Sequence, residues 1–145
     1  GSSTFKGCTS LDKINLPTSI TNIGSSAFKE CAMLKEIDLP TSITNIGSSA
    51  FEGCTSLDEI NLPTSITNIG SSAFEGCEKL DVINLPSDLT NIGSSAFKGC
   101  TCLSNVIFGE SSYLLVLCVS IFVCCFVLMC QMCYKILPES VLYLQ

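Results

Sequence analysis

Arginine, histidine and tryptophan are absent from these 145 residues. Without histidine the commonest general base and metal ligand near neutral pH is gone, so an enzyme would have to work with Lys, Asp, Glu, Tyr, Ser or Cys. Without arginine, and with seven lysines against thirteen acidic residues, the chain has no cluster of cations for phosphates, which speaks against nucleic acid as a partner. Charge is also scarce at one end: residues 111–145 hold only Lys135 and Glu139, and the net charge of −6 belongs to residues 1–110. The repeat region has no N-x-S/T sequon, since every Asn there is followed by Ile-Gly, Leu-Pro or Val-Ile. A leader segment is not visible, and the chain opens in the middle of a repeated phrase, so it reads as a piece of a longer protein.

What is present is repetition. LPTSITNIGSSAF runs from Leu16 to Phe28, again from Leu39 to Phe51 and from Leu62 to Phe74, and a fourth copy from Leu85 to Phe97 reads LPSDLTNIGSSAF. Phe5, Phe28, Phe51, Phe74 and Phe97 stand 23 residues apart, as do Cys8, Cys31, Cys54, Cys77 and Cys100. A period of this length with apolar residues at L-x-x-I-x-L is the signature of a leucine-rich-repeat solenoid. Ile14 and Leu16 alternate with Lys13 and Asn15, the pattern of a short strand with one buried face. The strand is expected to stop at Pro17, which cannot donate to a sheet ladder. Gly24 is expected to give a sharp or positive-φ corner. Ser25 to Phe28 is expected to form a single capped helical or 3₁₀ turn. One coil cannot bury its own Phe, Cys, Ile and Leu, so parallel coils must stack, ~4.8 Å apart, and lay each inward residue over its copy.

The phrase L-x-x-I-x-L-P-x-x-I-T-x-I-G-x-x-A-F-x-x-C resembles the BspA-like leucine-rich repeat, a family of surface proteins of bacteria and protists, over residues 5–108. The resemblance implies a curved solenoid and a role in adhesion or host contact. It implies no reaction and no cofactor. Ser19, Ser42 and Ser65 stand where commoner leucine-rich repeats place an Asn, so no Asn ladder is expected at that position, and the pattern breaks at Gly109. Repetition of the exposed Thr and Ser positions is read as recent tandem duplication, with their use left open.

Domain organisation follows from composition: repeats over 1–110, a hydrophobic segment over 111–134 and a short tail over 135–145. Tyr113 to Tyr134 is free of charge for 22 residues, which as a helix spans ~33 Å, enough for a bilayer core. A single membrane span is the favoured reading, with Lys135 placing the C-terminus in the cytoplasm and the repeats at the cell surface. A hydrophobic helix capping the stack and translated non-coding sequence are the alternatives.

Eleven cysteines invite a disulfide framework or a metal site, but five are copies in one ladder, and ladder thiols run parallel rather than facing each other. They are read as free, buried thiols. Cys130-Gln131-Met132-Cys133 lacks a second half with zinc spacing. Cys130 and Cys133 are instead candidate lipidation sites at a cytoplasmic membrane face, against the plainer reading of thiols within the membrane.

For function, the outward strand positions vary while the rest repeats: Lys13, Glu36, Glu59 and Val82 in one row, Asn15, Asp38, Asn61 and Asn84 in the next. These eight residues are the candidate ligand-binding face of a non-catalytic adhesion module whose partner is a protein or cell-surface ligand. Two readings compete with this: an acidic face that keeps the stack soluble, and a structural spacer or non-functional fragment of a repeat multigene family.

Overall fold

The computed structural model describes residues 1–109; the expected membrane span over 111–134, the tail and the candidate lipidation sites Cys130 and Cys133 lie outside the described residues. Among those residues no helix is long and apolar enough to cross a membrane.

Each of the first four coils contributes one strand to each of two parallel sheets, and the fifth adds a strand to the first sheet. The first sheet takes β1 (Lys13–Asn15), β3 (Glu36–Asp38), β5 (Glu59–Asn61), β7 (Val82–Leu85) and β9 (Asn105–Phe108), and the second β2 (Asn22–Ile23), β4 (Asn45–Ile46), β6 (Asn68–Ile69) and β8 (Asn91–Ile92). Register is locked to the period: Ile14 pairs with Ile37, Ile37 with Ile60 and Ile60 with Ile83. A constant coil length leaves no other register that keeps every isoleucine inside, because a slip of one residue turns the inward set outward.

The third side of each coil corrects the expectation of a capped helical turn. Among the described residues there is no helix. Gly24 to Leu34 is a chain of four-residue turns, closed by Ala27 N–H to the Gly24 carbonyl (3.2 Å), Lys29 to Ser26 (3.2 Å), Cys31 to Phe28 (3.1 Å) and Leu34 to Cys31 (3.1 Å). Alternate amides point to the next coil instead, with Ser26 donating to Ser48, Phe28 to Ala50 and Glu30 to Glu52 at 2.7–2.9 Å. A helix would consume those donors within the coil, and so short a segment cannot repay helix nucleation. The stack wins because it satisfies the same backbone groups and buries Phe28 as well.

Positive φ also falls elsewhere than expected. Ser26, Ser49, Ser72 and Ser95 (54–58°) and Gly7, Gly53, Gly76 and Gly99 (72–76°) carry it, whereas Gly24 does not. A Cβ on Gly24 would lie 2.6 Å from the Gly1 carbonyl carbon, so this glycine is needed for close approach of two coils. Glu30 occupies the second position of the glycine row, between Gly7 and Gly53, at φ 63°, where an L-residue is strained. Glu30→Gly should therefore stabilise the protein by about 1 kcal/mol, read as a raised denaturation midpoint; an unchanged or lowered midpoint would show that the turn tolerates Glu.

The core is a set of ladders. Phe28, Phe51 and Phe74 are shielded from solvent, and the five ring centroids follow one another at 5.2–5.4 Å with interplanar angles of 1–10°. Phe5, with a ring neighbour on one side among the described residues, is only half-buried. Cys31, Cys54, Cys77 and Cys100 are buried and unbridged, and each thiol donates to the Phe carbonyl of the coil before, at 3.1–3.2 Å.

Burial pushes the Cys54 thiol up to about 12 from an ordinary 9.0 and raises Cys31 and Cys77 as well. The folded state therefore keeps its protons where the unfolded chain has lost them. The thiol contribution to stability is whole below pH 9.0, falls as pH rises above it, and for Cys54 is lost by about 12. Denaturation midpoints should decline across that window, and peptide mapping after a thiol reagent should find Cys8 and Cys102, both exposed, modified in the folded protein with the ladder untouched. Modification of Cys54 at the rate of Cys8 would contradict this packing.

Candidate functional site

Identical Thr, Ser and Asn positions turn out to have structural work on the second sheet and its flanks. Ser42 and Ser65 donate to the carbonyls of Ile20 and Ile43 (2.5 and 2.6 Å). Thr44, Thr67 and Thr90 donate to the backbone of Thr21, Thr44 and Thr67 (2.9–3.3 Å). Asn68 and Asn91 pass side-chain amide bonds to Asn45 and Asn68, each 2.5 Å. Serine thus fills the position where an Asn ladder was not expected, and an Asn ladder forms three residues further on. These rows are repeated because each hydroxyl or amide joins a coil to the one before, a constraint that exposure alone conceals.

The outer face of the first sheet and its flank carry fewer such joints, Lys13 to Glu36 and Ser104 to Asp81 among the described residues. Alternation along each strand turns the isoleucines inward and leaves Lys13, Asn15, Glu36, Asp38, Glu59, Asn61 and Asn84 exposed, with Val82 half-buried. In-register pairing sets Lys13 beside Glu36, Glu36 beside Glu59 and Glu59 beside Val82. All eight candidate residues therefore share one surface, flanked by Asp12, Lys35, Asp58 and Asp81, all exposed. Between the third and fourth coils this surface dips into a shallow concavity lined by Asp58, Glu59, Ile60, Asn61, Asp81, Val82 and Asn84.

Electrostatically the face is acidic and mostly unpaired. Lys13 meets Glu36 at 3.2 Å, but Asp38, Asp58, Glu59 and Asp81 make no ion pair among the described residues. Among the described residues the Glu59 side chain accepts from the Asn61 amide alone (3.2 Å), and Asp81 from the Ser104 hydroxyl. The turn ribbon behaves differently: Lys29 binds Glu52 and Lys98 binds Glu75, each at 2.8 Å. There the lysine, with help from Ser49, holds the Glu52 carboxyl below its ordinary range, and Lys98 with Ser72 does the same for Glu75.

Two further features extend the face beyond the residues singled out from sequence. Ile107 continues the Asn15 row, paired with Asn84, and is 48% exposed. Met33, 49% exposed, varies in its row with Ser10, Ser56 and Lys79. Both could have been found by carrying the 23-residue alignment one coil further and counting every varying column. Among the described residues, no group of His, Cys, Asp and Glu could hold a metal ion.

Solved structures with the same architecture include a leucine-rich repeat protein of T. pallidum (29% identity, TM-score 0.69, covering 81% of this chain and 73% of that one). A leucine-rich repeat protein from Bacteroides ovatus is 31% identical (TM-score 0.69, 78% of this chain, 32% of that one). A leucine rich cell surface protein from Faecalibacterium prausnitzii is 32% identical (TM-score 0.54, 73% of this chain, 34% of that one). The chain thus spans about a third of the latter two. A comparison with curated proteins finds no significant match. The family model for the BspA type leucine rich repeat region matches residues 1–126 in six copies, and with the stacked coils described above this means that the chain belongs to the BspA-type leucine-rich-repeat family.

Proposed function

We propose that this chain is a non-catalytic binding module of a cell-surface protein, which contacts a protein or cell-surface ligand through the outer face of its five-stranded sheet. The observation that carries the reading is the placement of variation. The row Lys13, Glu36, Glu59, Val82 carries three residue types in four coils while lying over an unchanging backbone. The Thr and Asn rows of the second sheet are unchanged in all four coils and bond coil to coil. Among the described residues the outer strand face and its flank are joined by side chains between coils only at Lys13–Glu36 and Ser104–Asp81, which leaves its side chains freer to change. A rigid surface with exchangeable side chains is what a repeat scaffold offers a partner. The family, and a related structure that is a cell surface protein, support display outside the cell, and the uncharged run from Tyr113 to Tyr134 would anchor it there.

The test uses cells that express the full chain behind a supplied secretory leader, with a tag after Gln145. External protease should remove the repeats and spare the tag, and cells with intact repeats should adhere to immobilised extracellular protein better than protease-treated ones. Combined substitution of Glu36, Asp38, Glu59 and Asn61 by Ala should abolish that difference. Protected repeats with a cleaved tag, or adhesion indifferent to these four residues, would defeat the proposal.

A further inference from the structure

Resting on that reading of the strand face, we infer that its partner presents a basic segment bearing an apolar side chain, laid across the strands from Glu36 toward Ile107. Six carboxylates, Asp12, Glu36, Asp38, Asp58, Glu59 and Asp81, share the strand rows and their flank with Lys13 and Lys35, and Lys79 in the bordering Met33 row is the third lysine near them. Lys13 is already engaged by Glu36.

The arrangement of the charges says more than their number. Glu36 and Glu59 are direct neighbours in the parallel register, one strand spacing apart, ~4.8 Å, where like charges oppose folding. A solubilising surface needs net charge, not adjacent carboxylates in register. The turn ribbon shows the alternative, because its neighbouring carboxylates Glu52 and Glu75 are each paired with a lysine, Lys29 and Lys98, at 2.8 Å, whereas Glu59 has no ion pair among the described residues. Lysine at position 59 would make the row that begins Lys13, Glu36 alternate in charge. The face instead keeps an electrostatic cost that a cationic partner would relieve.

Past Glu59 the face carries two apolar residues, one in each row. Val82 sits half-buried in the floor of the concavity beside Asp58, Glu59 and Asp81, and Ile107 stands exposed in a row otherwise made of Asn and Asp. A partner with cations over Asp58, Glu59 and Asp81 and one aliphatic or aromatic side chain over Val82 and Ile107 matches both in one pose. A second copy of this chain does not fit, since it carries no Arg and is itself net negative; an anionic lipid surface would be repelled.

Binding is measured on the full chain in detergent, with three short probes: a Lys/Leu peptide, a Lys/Ser peptide and a Glu/Leu peptide. The Lys/Leu peptide should bind tightest and the Glu/Leu peptide should not bind. Glu59→Gln with Asp81→Asn should weaken the Lys/Leu peptide about tenfold, as loss of local charge complementarity does. Glu30→Gln with Asp88→Asn, the same charge change away from this face, should leave it within about twofold. Ile107→Asn should weaken the Lys/Leu but not the Lys/Ser peptide. Glu59→Lys should raise the melting temperature while removing binding, a combination that a merely structural role for Glu59 would not give. Equal loss in the two double variants, or equal binding of the Lys/Leu and Glu/Leu peptides, overturns the inference. If that happens while cell adhesion still depends on the face, the binding-module reading stands and only the partner's chemistry is wrong.

Discussion

Phe51→Ala should lower the stability of the protein by about 3–5 kcal/mol, the cost of deleting a large ring from a core that cannot close over the gap. Phe51 is fully shielded, with Phe28 and Phe74 each 5.3 Å from its ring centroid. Collapse is prevented by the backbone on both sides: Phe28 N–H is held by Ala50 at 2.8 Å and Phe51 N–H by Ala73 at 2.7 Å. Contacts in such a stack run only between neighbours, so a defect in the central coil weakens the two interfaces that join the halves. Phe5→Ala should cost much less, because that ring is half-buried and has one stacking neighbour among the described residues. Denaturant unfolding of the two variants beside the parent gives the comparison. Equal midpoints for Phe51→Ala and the parent would show that the ladder is not the core.

Gly70→Ala and Gly76→Ala should separate two reasons for glycine that sequence cannot distinguish. A Cβ on Gly70 would stand 2.5 Å from Ser48 N and 2.7 Å from the Gly47 carbonyl carbon. Both are backbone atoms, so the coils would have to part, stretching the 2.8 Å bond from Gly70 N–H to the Ile46 carbonyl. Overpacking of this kind costs about 3 kcal/mol or more. At Gly76 the space is open, with the nearest atoms of Gly53 at 3.8 Å, and the penalty is that of an L-residue at φ 73°, about 1–2 kcal/mol. Thermal melts should rank Gly70→Ala as the worse substitution. The reverse order would mean that coil contact is looser at Gly70 than these distances state.

The candidate face was legible in the sequence to the extent that alternation was. Ile14, Ile37, Ile60 and Ile83 announce which side of each strand is buried, and the residues between them then face outward by the pleat alone. What alternation does not report is company. That Glu36 lies against Glu59 requires the parallel register; that Val82 joins Asp58 and Asp81 in one concavity requires the packing of two coils. Ile107 escaped notice because its coil departs from the repeated phrase at Val106 and Phe108, which hides that it continues the Asn15 row.

By itself the sequence determined the coil length, the inward residues and the parallel stack, because a 23-residue period of Phe, Cys, Ile and Leu has one way to bury them all. It also marked the outer strand face, through the period-two pattern. Only the tertiary structure decided what happens between Gly24 and Leu34, where local propensity pointed to a helical turn. There the backbone donors are claimed by the next coil, and that competition is settled between segments 23 residues apart. For the same reason Gly24 is required for close contact between coils rather than for positive φ, and Thr44, Asn68 and Ser65 are joints between coils rather than idle surface. Each role depends on a neighbour that a single repeat does not contain.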